Sequence, residues 1–204
     1  MGQFQTNTRQ GVVSIQCDDR LKAMAEIMLS EAVSMDQKGG TFRDGLAFLH
    51  GWSAYKLRGR PGLWRIEEPD FGGDPYANSR PDITFTLSIL AQQFAVGEKL
   101  GLRPSQLAEV SCFDMILHPS CLRDQRIRAE RVEPRGQKFS GWQLFALDRK
   151  TSEADDMVSD VATLVKARPA LLRVMLLPVG YSVEMNGNEI RSVTDPSRRI
   201  VYQA

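Results

Sequence analysis

The chain has 204 residues, 42% of them hydrophobic and 25% charged, with a formal net charge of +1. Those proportions suit a globular protein with a sizeable core, and the near-neutral balance supplies no global field that would draw it onto nucleic acid or an anionic membrane. Cys17, Cys112 and Cys121 are odd in number and dispersed, unlike a secreted disulfide framework. No apolar signal-type segment follows the polar first ten residues, and the longest apolar run, 174–179, is too short to cross a bilayer. The expected compartment is the cytoplasm.

Residues 1–10 read as a flexible polar tail. Asp18-Asp19 can cap a helix whose apolar stripe is Leu21, Met24, Ala25, Met28, Ala32 and Met35, and Gly39-Gly40 stops it. This Met-rich stripe reads as a core face, since methionine is a common core filler. Between Phe42 and Phe71, apolar and polar residues alternate on either side of Arg58-Gly59-Arg60-Pro61-Gly62, which predicts two short strands joined by a turn. Glu67-Glu68-Pro69-Asp70-Phe71-Gly72-Gly73-Asp74-Pro75 reads as an acidic surface loop. Ser79-Arg80-Pro81-Asp82 has the form of a helix start, with a capping serine and a proline in the first turn. The helix is expected to reach Leu100 and end at Gly101. Its two apolar stripes, Ile83/Leu87/Leu90/Phe94 and Phe85/Ile89/Val96/Leu100, mark it as the most buried one.

Residues 104–117 suit either a helix or a strand. The arginine-rich stretch 125–133 alternates weakly and predicts an exposed edge strand or ribbon. Trp142-Gln143-Leu144-Phe145-Ala146-Leu147 reads as a buried strand. Met157, Val161, Leu164 and Val165 have helical spacing, and Arg168-Pro169 breaks that helix and restarts a short one. Residues 181–193 form the clearest predicted hairpin, with Asn186-Gly187 at its turn. The expected fold is α+β: a mainly helical N-terminal part with a short hairpin, packed on a small C-terminal sheet with one or two helices. The expected organisation is a tail over 1–10, an N-terminal part over 11–122 and a C-terminal domain over 123–204, the last two being either separate or one continuous globular unit.

The sequence has no phosphate-binding loop, no dinucleotide glycine fingerprint and no nucleophile elbow. Its two histidines, His50 and His118, lack a recognisable catalytic setting. The acid pairs Asp18-Asp19, Glu67-Glu68 and Asp155-Asp156 read as capping or solvated carboxylates. Cys112, His118 and Cys121 are conceivable zinc ligands, but the spacing matches no standard knuckle, and buried free thiols are the simpler reading. Neither a cofactor nor a catalytic residue is expected. The charge pattern points to a protein partner: residues 123–138 carry six basic and three acidic groups, whereas 67–82 carry five acids and one arginine. Segregated patches of this kind steer and orient protein association.

Residues 140–193 resemble the immunity-protein 33 family of bacterial toxin–immunity systems. The likeness rests on Ser140-Gly141-Trp142, a helix over 160–168, Arg168-Pro169-Ala170-Leu171-Leu172, and Leu177-Pro178-Val179-Gly180-Tyr181-Ser182-Val183-Glu184. It implies a cytoplasmic inhibitor that binds a cognate protein toxin and occludes it. If that toxin is a nuclease, acids that mimic nucleic acid are the expected contacts: Glu67, Glu68, Asp70 and Asp74, then Asp155 and Asp156. An adaptor or chaperone for a secreted effector is the alternative. A small enzyme using His118 with Cys112 or Cys121 is a more distant one.

Overall fold

A computed structural model describes residues 1–108, 114–134, 136 and 138–204. The chain divides into two units, Met1–Gln92 and Gln93–Ala204. The division expected from the sequence falls after residue 122.

The first unit is built on strands β1 (Gly2–Thr8), β2 (Gly11–Cys17), β3 (Leu46–His50), β4 (Ser53–Arg60), β5 (Gly62–Pro69) and β6 (Ser79–Arg80). They form one sheet in the order β1-β2-β5-β4-β3, with β6 paired to the end of β5. All pairs are antiparallel except β2 with β5. A parallel pair needs a crossover, and helix α1 (Lys22–Gln37) lies in it, packed on β1 and β2. Met28 and Ala32 of the predicted stripe are buried, so the methionine face serves the core. The first ten residues are no free tail. Gly2–Thr8 pairs along its whole length with β2, and the turn at Arg9-Gln10 is tied to buried Asp36 at the end of α1, which accepts from the Arg9 backbone N–H (2.8 Å) and the Gln10 amide (2.8 Å).

The predicted turn between β4 and β5 is present. Arg60 pairs with Leu63, leaving Pro61 and Gly62 as the loop, and Gly62 takes φ +91, as a Pro-Gly turn requires. The inward faces of β4 and β5 supply Tyr55, Leu57, Trp64 and Ile66, all buried. Helix α2 (Thr84–Lys99) starts later than its sequence signal suggested. Asp82, not Ser79, holds its first residue, accepting from the Thr84 backbone N–H (3.0 Å) and hydroxyl (2.6 Å). Ser79 belongs to β6 instead.

The second unit contains β7 (Asp114–Leu117), β8 (Arg126–Arg131), β9 (Phe139–Ala146), β10 (Met157–Ser159), β11 (Ser182–Asn186), β12 (Glu189–Thr194) and β13 (Ile200–Gln203). Their order is β10-β7-β9-β8-β11-β12-β13. Only β7 and β9 run parallel. Helix α3 (Val161–Ala167) is capped by Asp160, whose carboxylate accepts from the Thr163 backbone N–H at 2.8 Å, and a 3-10 turn, Pro169–Val174, follows. The predicted hairpin is β11–β12. Its two-residue turn is Gly187-Asn188, one position later than expected, because Asn186 pairs with Glu189 and Gly187 takes φ +57.

The fold is therefore mainly β, with sheets of six and seven strands, and the expectation of a mainly helical N-terminal part was wrong. Among the described residues the first unit holds a six-stranded sheet against α1 and the N-terminal part of α2. Polar, weakly alternating strands such as β1 do not announce themselves locally, since strand formation depends on distant partners. The reading of 125–133 as an exposed edge also fails. Strand β8 lies between β9 and β11, with Ile127, Ala129 and Arg131 buried. No helix among the described residues is long and apolar enough to cross a membrane.

Candidate protein-docking site

The acids proposed from sequence separate into two kinds. Glu67 and Glu68 close strand β5, and only 6% and 2% of their surface is exposed. The Glu67 carboxylate accepts from the Arg65 guanidinium (3.0 Å) and from the Ser79 hydroxyl (2.6 Å). The Glu68 carboxylate accepts from the backbone N–H of Thr86, in the first turn of α2, at 2.9 Å. Burial pushes the Glu68 carboxyl up to about 7, although the Thr86 hydrogen bond favours its ionised form. Both side chains are engaged in joining β5 to the segments that follow it. A partner meeting either carboxylate would have to displace these contacts first.

Asp70 and Asp74 lie in the loop beyond β5. Asp70 is half-buried and accepts from the Gly72 backbone N–H at 3.2 Å, while Asp74 is exposed and accepts from the N–H groups of Tyr76 (2.9 Å) and Ala77 (3.2 Å). Each carboxylate thus shapes its own turn, the usual work of aspartate there. Beside this loop Phe71 stacks on Trp52 with centroids 5.6 Å apart and meets Phe85 edge-on.

Asp155 and Asp156 are exposed, and among the described residues neither takes part in an ion pair. They lead directly into β10, which pairs with β7 through Met157–Leu117, Val158–Ile116 and Ser159–Met115. No strand among the described residues pairs with the other side of β10. Met157 and Val158 are 41% and 53% exposed. Successive residues on a strand point to opposite faces, so both faces of this edge offer apolar surface. Two free carboxylates, two exposed apolar side chains and an open backbone edge occupy four consecutive residues. Sequence reasoning placed Met157 on a helix and gave Val158 no role. The signal present, a β-branched residue in a run of three between aspartates, is too short to separate a strand from a helix start.

The conceivable metal set is not assembled in what the structure describes. The His118 Nδ1 lies 2.9 Å from the Ser120 hydroxyl at the start of a 3-10 turn. Cys121 is buried, its thiol 3.4 Å from the Leu144 carbonyl, and desolvation pushes that thiol up to about 11. Cys112 lies outside the described residues. His50, half-buried at the end of β3, has its Nδ1 3.8 Å from the Glu31 carboxylate, and burial lowers its pKa.

A family model described as an Imm33-like domain matches residues 92–196. The match opens where the second unit opens and takes in β7 through β12, so it extends well before the Ser140-Gly141-Trp142 motif. Strand β13 lies beyond it. No curated protein and no solved structure matched the chain.

Proposed function

Because the chain belongs to the Imm33-like domain family, whose model covers just over half of it, we propose that it is an immunity protein that binds a cognate bacterial toxin and neutralises it by steric occlusion. The observation that carries the contact assignment is the β10 edge, where exposed Asp155 and Asp156 adjoin exposed Met157 and Val158. An open strand edge supplies backbone donors and acceptors, the apolar pair supplies desolvated contact area, and the two carboxylates orient a basic partner surface. Such a surface suits a toxin whose own substrate is anionic, as a nuclease's is. Asp70 and Asp74 form a second, separate acidic contact. The action needs no cofactor and no catalytic group, and its setting is the cytoplasm of the producing cell.

The test is co-expression with the product of the neighbouring gene, reading growth and then co-purification. Protection together with a stable complex is the expected result. Absence of both removes the immunity reading. Protection undiminished by Asp155→Lys with Asp156→Lys would leave that reading standing and remove the β10 edge from the interface.

A further inference from the structure

The opposite end of the same seven-stranded sheet carries a different surface. Strand β13 pairs on one side with β12, through Val193–Tyr202 and Ser192–Gln203, and on the other side with no strand among the described residues. Ile200, Val201 and Tyr202 are 60%, 38% and 37% exposed. Ile200–Gln203 contains no charged residue and no proline, the two features that ordinarily keep an edge strand from pairing.

This edge borders a groove of about 450 Å³, floored by Val96, Leu100, Ile190, Val193 and Tyr202. Val193 and Tyr202 are cross-strand partners, so they stand side by side on the face that the groove occupies. A further strand laid along β13 would continue that row and deliver alternate side chains into the groove. The rim is cationic. Lys99, Arg173 and Arg191 line it, against one carboxylate side chain, Glu189, which pairs with Arg191 at 2.9 Å. Arg173 is held in place by two carbonyls, donating to Ala170 (3.1 Å) and Asn188 (2.6 Å). Neither it nor Lys99 forms an ion pair among the described residues. A fixed guanidinium without a carboxylate leaves positive charge to be matched by whatever binds.

We infer that the β13 edge and this groove form a docking site for an extended, acidic and apolar peptide segment of a partner protein, bound by strand addition. Backbone hydrogen bonds along β13 would hold the segment, apolar side chains would enter the groove, and acidic side chains would meet Arg173 and Lys99. The site differs in charge and position from the β10 edge and does not depend on the toxin assignment.

The experiment uses the full chain and a fluorescein-labelled octapeptide alternating Glu and Val, with an octapeptide alternating Lys and Val as its counterpart. Fluorescence anisotropy reads affinity, and amide chemical shifts read the location. The expected result is binding of the acidic peptide alone, with the largest shifts over 200–203. Arg173→Glu should weaken it at least about tenfold, since it sets a carboxylate against the acidic side chains of the peptide. Ile200→Lys, at a site 60% exposed, should weaken it comparably while leaving the thermal midpoint unchanged. Equal binding of both peptides, binding indifferent to both substitutions, or no binding at all would overturn the inference. So would a wild-type dimer that Ile200→Lys dissociates, which would give the edge to a second copy of the chain. Toxin protection, measured separately, is expected to survive Ile200→Lys.

Discussion

The Arg131 guanidinium lies over the indole of Trp142, 5.9 Å from the ring centroid, and both side chains donate to one acceptor, the carbonyl oxygen of Met175, at 2.9 and 3.1 Å. Arg131 donates further to the carbonyls of Leu177 (2.7 Å) and Ser140 (3.2 Å). It is buried, no carboxylate partners it among the described residues, and desolvation pulls its pKa down to about 10. This cation therefore acts as a multiple donor. It gathers the carbonyls of the irregular segment after the Pro169–Val174 turn and fixes them to β8 and β9. The Ser-Gly-Trp strand and the Leu-Pro-Val-Gly loop of the family-like motif meet through it.

Arg131→Met removes every one of those donors, taking them from the Leu177 and Ser140 carbonyls and leaving the Met175 carbonyl with Trp142 alone. The expected cost is about 3 kcal/mol or more, read as a lower midpoint in urea denaturation. Trp142→Phe removes a single donor and should cost about 1–2 kcal/mol. If Arg131→Met were the milder of the two, the arginine would not be what holds the segment.

Gly141 has φ +82, and a Cβ built on it would lie 2.2 Å from the Val132 carbonyl oxygen. That same stretch of backbone is paired, the Val132 N–H donating to the Gly141 carbonyl at 2.9 Å. Gly141→Ala therefore meets both steric and torsional penalties and should destabilise by at least about 2 kcal/mol. A thermal midpoint within error of wild type would count against this backbone geometry.

Glu68 gives a pH dependence with a definite sign. Its carboxyl is raised by burial from 4.5 to about 7, so between those values the folded chain keeps a proton that the unfolded chain has released. Stability then falls as pH rises through that window and is lowest above about 7. Glu68→Gln retains an acceptor for the Thr86 N–H and cannot ionise. It is expected to flatten this part of the profile and to exceed wild type by about 1–3 kcal/mol at pH 8. Parallel wild-type and variant profiles from pH 4.5 to 8 would mean that Glu68 is ionised throughout.

Acids in the two settings should respond differently to reversal of charge. Glu67→Lys places an ammonium group beside Arg65 in a buried site and should cost about 3 kcal/mol or more of stability. Asp155→Lys with Asp156→Lys alters exposed, unpaired positions, so stability should change by no more than about 0.5 kcal/mol each. Toxin affinity, by contrast, should fall about tenfold or further. Denaturation and binding titrations on the same preparations separate these effects. An unstable Asp155/Asp156 variant, or one with intact affinity, would argue against the proposed contact.

Several elements are legible in the sequence. The α1 stripe, the strand around Trp142, the Pro-Gly turn, the β11–β12 hairpin and the family likeness all depend on residues within a few turns or one hairpin of each other. Periodicity, capping and positive-φ glycines act over that range, and the sequence displays them directly. Asp155 and Asp156 could be named as acids for the same reason, but their place on an open sheet edge could not. Strand β13 did offer a signal, since Ile200-Val201-Tyr202 is a β-branched and aromatic run.

The tertiary structure alone decided which charges are surface and which are interior. Glu67 and Glu68 look like a solvated pair until Ser79 and Thr86, 12 and 18 residues away, supply their hydrogen bonds. Arg131 looks like part of a basic edge until the carbonyls of Met175 and Leu177, 44 and 46 residues on, accept its hydrogen bonds. A buried charge needs partners to offset its desolvation, and when those partners are distant in sequence no local pattern records them. Strand order has the same origin. Each strand's side-chain pattern is its own, but whether its edge is open or covered is set by whichever segment arrives beside it.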